Sequence, residues 1–363
     1  MSFVNLASPR PALQAMLTAI KTPKAGDEVA GQAHLNNLTK PLGSLGRLEE
    51  LALKLWRIQG QRPLQVDPAA IYTVAGDHGV VEEGISPFPQ AVTRQMVLNF
   101  LNNGAAINVL SQIGGINHYV VDAGCKGEIF EPHSRLLHRK VASGSANFVT
   151  GPALSEEECL ACLENGFNLA KDAADKGVRC LGLGEMGIGN TTPAAALFAA
   201  YFNLPPEAVA GPGAGLNADG VRRKSEVIQR ALGANKQAVS SGDSFSILAA
   251  LGGLEIATLT GLVLGGAACN LVVVVDGFIS TAAYAAAWKM CPIVREYCVF
   301  SHLSQENAHK AILNCLGEKP LLDLDMRLGE GTGAALAIYL LRCAAGIFND
   351  MATFETAGIS GVE

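Results

Sequence analysis

The chain has 363 residues, 49% of them hydrophobic and 17% charged, which suits one large domain plus a smaller one and excludes a disordered chain. Net charge is −6, and the basic residues are scattered, which argues against nucleic acid or an anionic membrane as the main partner. Nine cysteines are an odd number spread over a long chain, not the framework of a small secreted domain.

The segment Met1–Arg10 lacks a basic stretch followed by an apolar core, so a cytoplasmic protein is expected. Residues 10–60 are helical in pattern. Ser44–Trp56 places apolar residues at 45, 48, 51, 53 and 55 beneath a polar face. A proline-marked linker follows at Gln61–Pro68.

From Ala70 onward, short β-branched runs at Ile71–Ala75, His118–Val121, Val178–Leu183 and Leu271–Val275 alternate with helical stretches. The helices are expected at Ala91–Leu101, Glu156–Ala174, Pro193–Ala200 and Ser280–Trp288. This alternation predicts an α/β fold, a parallel sheet with helices on both faces. Cys159 and Cys162 form a CxxC, but Ser155 and three glutamates before it read as a capped helix start. Ile247–Val275 is almost uniformly apolar; Glu255 in its middle and the run Leu271–Val275 at its end favour a buried helix then a buried strand over a membrane span. Thr332–Asp350 is a last apolar helix, placed to return to the N-terminal helices.

Five segments follow strands or precede helices, where ligands of such sheets bind. Ala75-Gly-Asp-His-Gly-Val80 suits a metal, acid–base work or a plain turn, and the loop Glu82–Gln90 after it suits a flat heteroaromatic ligand. Gly182, Gly184 and Gly187 satisfy GxGxxG, yet the helix starts only after Gly189, with Asn190–Thr192 as N-cap and Pro193 in its first turn. A glycine turn presenting amides to a mononucleotide phosphate fits that placement better. Gly211–Gly215, followed by Arg222, Arg223 and Lys224, reads equally as a phosphate site or as a loop with a solvated basic turn. Asp276 after the strongest strand serves ribose hydroxyls, or caps the helix that follows. Glu330 lies between Gly329 and Gly331, where a ligand approaches closely and the carboxylate is poorly hydrated, conditions that make a base.

Taken in order, Thr39–Arg47, Ala75–Val80, Gly184–Thr192, Ser301-His302 with Gln305, and Arg327–Gly333 resemble the nicotinate-nucleotide–dimethylbenzimidazole phosphoribosyltransferase family. The resemblance implies a three-layer, Rossmann-like large domain at 66–333 and a small helical domain from both chain ends, 1–65 with 334–363. It also implies a homodimer without metal or organic cofactor. The implied reaction moves phosphoribose from nicotinate mononucleotide to 5,6-dimethylbenzimidazole or a related base, giving α-ribazole 5′-phosphate and nicotinate for the cobalamin lower ligand. The family's base maps to Glu330 and a second acidic residue to Glu185. The benzimidazole pocket maps to Ser86, Gln95, Leu328 and Gly329, the phosphate contacts to Gly187, Gly213 and Lys224, and the ribose contact to Asp276. Two other readings stand beside this one: a nicotinamide-dependent oxidoreductase using Gly182–Gly187, and a non-catalytic nucleotide-binding protein.

Overall fold

The computed structural model describes residues 10–23 and 26–360. Residues 1–9, 24–25 and 361–363 lie outside those bounds, and with them the segment bearing on a leader peptide and the outer ends of the expected small domain. Six parallel strands form one sheet: β1 (Ala69–Gly76), β2 (Asn117–Gly124), β3 (Leu136–His138), β4 (Cys180–Met186), β5 (Val272–Val275) and β6 (Cys298–Phe300). Their order is β3-β2-β1-β4-β5-β6. β1 and β5 are buried along their whole length, as expected of parallel strands covered on both faces by crossover helices. The edge strands β3 and β6 have three residues each, too few to show a period in the sequence.

The strand order reverses between β1 and β4, which opens a crevice at their carboxyl ends. Two helices cover the central strands from opposite sides. Gly182 faces Ala334 of the helix Thr332–Asp350, whereas its neighbour Leu181 faces Gly266 of the helix Leu254–Ala268. That alternation makes three layers. The helix Glu156–Asp175 lies directly on Leu254–Ala268: a Cβ added at Gly166 or Gly261 would strike a backbone carbonyl of the other helix, Thr258 or Leu163.

Cys159 and Cys162 are buried in the Glu156–Asp175 helix, whose first turn Ser155 and Glu158 close reciprocally at 3.1 and 2.8 Å. The apolar stretch 247–275 forms two helices rather than one before β5, Ser244–Leu251 and Leu254–Ala268. The break falls at Gly252-Gly253, where a Cβ on Gly253 would overlap the His78 ring. Thr332–Asp350 is long and apolar enough to cross a membrane by length and composition, but Ala334, Ala337, Ile338 and Leu341 are buried in the core. It packs along the helix Arg47–Gln59, and near its end the Thr39 N–H donates to Ala352 O at 3.0 Å. The helix Pro11–Ala19 packs on Leu254–Ala268 instead, and one continuous hydrophobic core joins both chain ends to the sheet.

Candidate active site

Glu330 sits where three strands end. Gly329, Glu330 and Gly331 have φ of 85°, 64° and 94°, so a glutamate holds the left-handed conformation that glycine takes freely. Such a residue costs roughly 1–3 kcal/mol and persists only where its surroundings over-determine it. Here they do. Thr73 Oγ1 on β1 donates to Glu330 O at 2.8 Å. Gly184 on β4 leaves room for that carbonyl, which a Cβ there would meet. Asp276, at the tip of β5, accepts from Gly331 N at 3.2 Å and from Ala334 N at 2.9 Å. The Glu330 side chain is 6% exposed, and its Oε2 is buried without a hydrogen-bond partner. Burial, then the Asp276 charge, push its carboxyl above the ordinary range, against the pull of the Ile107 amide.

Glu185, the penultimate residue of β4, comes to the same point, with Oε1 against Gly329 where a Cβ would sit. The Asn190 amide donates to its Oε2 at 2.5 Å. Burial first, with the negative charges of Asp276, Glu255 and Glu330, drives the Glu185 carboxyl up to about 8 despite that bond. Its surroundings therefore favour the neutral, protonated form. Asn190 stands at the expected N-cap of the helix Thr191–Phe202, but its side chain is spent on Glu185 and does not cap. Gly182 and Gly184 lie inside β4, not in the turn after it, so the dinucleotide fingerprint has no structural counterpart here. Their missing side chains admit Ala334 and the Glu330 backbone.

Asp276 corrects one reading. It caps not the following helix, Phe278–Met290, but the distant Thr332–Asp350, so both of its oxygens help hold Glu330 in place. The Asp77-His78 pair is tied into the fold. Asp77 Oδ2 accepts from Lys126 N at 2.7 Å, and His78 Nε2 meets Glu255 Oε1 at 2.7 Å with both side chains fully buried. Gly187 lies directly above, its Cα facing Gly76 O and the His78 ring. Among the described residues, no group of three or more His, Cys, Asp or Glu is placed to hold a metal ion.

A cationic cradle adjoins through Thr191. Lys224 is 1% exposed, and its Nζ donates to Thr191 Oγ1 and Gly211 O, both at 2.9 Å. Burial pulls it down to about 8, opposed by the Glu306 charge. Its neighbour Arg222 is solvated, so the basic turn of the sequence divides into one buried cation and exposed ones. Gly213, at φ 54°, lies against Lys224 Nζ and Thr191. Glu330, Glu185, Gly329, Asp276, Gly187, Gly213 and Lys224 are thus linked through direct neighbours.

Ser86, Gln95 and Leu328 are not drawn into that network. Ser86 Oγ accepts from Phe88 N at 3.2 Å, Gln95 is exposed on the helix Ala91–Leu101, and Leu328 is exposed beside Gly329. The loop itself touches the site through Ile85, which packs on Gly189, and the helix after it through Thr93, whose hydroxyl accepts from Ile188 N at 3.1 Å. Thr73, Asn190 and Glu255 escape sequence reasoning because the partners that give them a role are distant in the chain or, for Asn190, because its position favours the cap. Cavities of 680 Å³ beside His138 and Arg139 and of 490 Å³ beside Ser155 and Asn235 are lined by none of these side chains.

Residues 20–359 match the family model DBI_PRT, described as phosphoribosyltransferase. The chain is 57% identical over 349 residues to the nicotinate-nucleotide–dimethylbenzimidazole phosphoribosyltransferase of Nitratidesulfovibrio vulgaris (strain DP4), covering 96% of this chain and 98% of that one. The enzyme of the same name from Chlorobaculum tepidum is 46% identical over 96% of this chain and 98% of its own length. The crystal structure of CobT from Thermus thermophilus superposes with a TM-score of 0.87 at 45% identity, covering 92% of this chain and 99% of that one. With a strained, buried glutamate at the tips of β1, β4 and β5, and with this likeness along nearly its whole length, the chain belongs to the nicotinate-nucleotide–dimethylbenzimidazole phosphoribosyltransferase family.

Proposed function

We propose that the chain transfers phosphoribose from nicotinate mononucleotide to 5,6-dimethylbenzimidazole or a related base, with Glu330 as general base. In the donor, C1′ carries a pyridinium, a leaving group that needs no acid and no metal. The acceptor attacks through one ring nitrogen while the other bears N–H, and removal of that proton avoids building positive charge on the incoming ring. The carrying observation is the buried Glu330 Oε2 with no internal partner, a proton acceptor held at the strand tips. Glu185 supports the assignment. It lies beside Glu330, and burial holds its carboxyl up to about 8, so a second carboxyl that favours its neutral form stands next to the residue assigned as base. Attack opposite the pyridinium inverts C1′ and gives the α-glycoside.

Lys224 with the Gly213 and Gly187 backbone takes the phosphate, Asp276 faces the ribose, and Ser86, Gln95, Leu328 and Gly329 border the ring. The buried cation and the crowded glycines support the phosphate assignment. The reading extends to a cytoplasmic homodimer. Exposed Val109, Ile113 and Tyr339, on two helices that pack together beside Glu330, support pairing with a second copy. It also extends to a small helical unit of residues 1–65 with 334–363, supported by the bridge between Leu38 and Thr353.

Incubation with nicotinate mononucleotide and dimethylbenzimidazole, followed by chromatography, tests the reaction. Nicotinate and α-ribazole 5′-phosphate are expected in equal amounts, and an unchanged mixture overturns the proposal.

A further inference from the structure

The transfer step leaves the buried carboxyl of Glu306, beside Lys224, without a role. Glu306 is 6% exposed, and its Oε2 has no hydrogen-bond partner. That oxygen lies against Gly211, where any Cβ would overlap it. Three groups from other elements face the carboxyl: the Gly213 amide, Lys224 from the helix Ala218–Ala234, and Arg327 from the loop before Glu330. His309 is close in the chain, but burial holds it down at about 3, so it stays neutral. Lys224 uses two of its three N–H donors on Thr191 and Gly211. The Gly211–Gly213 turn therefore has beside it a cation with one donor left and a carboxyl with one oxygen unpartnered.

A phosphate dianion bound at this turn meets a like charge if the carboxyl is ionised, and gains a donor if it is protonated. We propose that Glu306 takes up one proton when the donor nucleotide binds and, as a neutral acid, donates its O–H to a phosphate oxygen opposite Lys224. This rests on the phosphate reading of the Lys224 cradle. The proton comes from solvent, forms one O–H bond on Glu306, and returns to solvent when the nucleotide product, which keeps the same phosphate, departs. No bond between heavy atoms changes. Burial already pushes the Glu306 carboxyl upward, and an incoming dianion pushes it further the same way.

The test is KM for nicotinate mononucleotide from pH 5.5 to 8 in wild type and Glu306→Gln, which keeps the shape and an N–H donor but does not titrate. Once the free-enzyme carboxyl is ionised, wild-type KM is expected to climb about tenfold per pH unit relative to the variant. With nicotinate riboside, which lacks the phosphate, the two curves should run parallel. Calorimetry in two buffers of different ionisation heat should show one more proton taken up by wild type with the nucleotide than with the riboside, a reading that stands even if the variant fails to fold. Parallel KM curves with the nucleotide, or no extra proton, overturn the inference. Lys224→Met separates the two claims. If it leaves KM unchanged, the phosphate reading fails; if it raises KM while wild type and Glu306→Gln coincide, only the role of Glu306 fails.

Discussion

The carbonyl of Glu330 accepts a 2.8 Å hydrogen bond from the Thr73 hydroxyl, whose oxygen also meets His118 Nε2 at 2.9 Å. One β1 side chain thereby links the left-handed Glu330, the residue we propose as base, to the interior of the sheet. Thr73→Val keeps the shape and removes the donor, leaving a buried carbonyl unsatisfied at about 1–3 kcal/mol. The expected result is a lowered kcat with KM for nicotinate mononucleotide little changed, measured by initial rates. An unaltered kcat would show that the hydroxyl does not set the position of Glu330.

Glu330→Gln retains volume and burial but cannot accept the acceptor's proton at neutral pH. Turnover should fall by ~10²–10⁴-fold. Binding of nicotinate mononucleotide, followed by calorimetry, should persist within a few-fold. Near-normal kcat in a folded variant removes Glu330 from the mechanism.

Lys224 supplies a buried charged donor, and such bonds are worth about 1.5–3 kcal/mol. Lys224→Met should raise KM for nicotinate mononucleotide by about 10–100-fold and leave that for nicotinate riboside nearly alone. Because the ammonium is pulled down to about 8, wild-type KM for the nucleotide should also rise as pH passes through that value and the charge is lost.

Glu185 gives stability a definite pH dependence. Its carboxyl titrates near its ordinary range in the unfolded chain and at about 8 in the fold. Between those values the native state holds a proton that the unfolded state has released, so stability falls with rising pH, by at most about 1.4 kcal/mol per unit. Urea titrations at intervals from pH 5 to 9 should show this decline in wild type and a shallower one in Glu185→Gln. Identical slopes would place the proton elsewhere.

Gly166→Ala probes the close helix pair under the sheet. The added methyl meets the Thr258 carbonyl, a backbone atom that cannot swing aside. Loss of roughly 1–3 kcal/mol is expected, read as a lower urea midpoint with an unchanged m-value. A midpoint equal to wild type would mean that the two helices separate at little cost.

Much of this architecture is legible in the sequence because parallel strands buried on both faces read as β-branched runs. β1, β2 and β5 carry that mark, β4 is read from its apolar Cys180–Leu183 start after Val178, and Thr332–Asp350 carries a full helical pattern. β3 and β6 do not, being three residues each and held by their neighbours. Glu330 stands out locally because packing gives no reason for a glutamate between two glycines. Asp276 shows the limit of local reading. Its capping partner lies 58 residues away at Ala334, so the sequence suggests the helix beside it instead. The Asn190 amide likewise looks like a cap, and only the fold brings Glu185 within its reach. His78 and Glu255 are separated by 177 residues, and no spacing rule connects them.

The hold on Glu330 comes mostly from main chain and from buried groups of β1, β4 and β5, whereas Ser86 and Gln95 belong to one surface segment that runs from β1 into the next helix. The residues we assign to the ring thus fall in two groups, Ser86 and Gln95 on that segment, and Leu328 and Gly329 next to Glu330 itself. On that assignment, exchanges at Ser86 and Gln95 reshape one rim of the ring site without touching the Thr73 and Asp276 bonds that fix Glu330, whereas an exchange at Gly329 disturbs both at once.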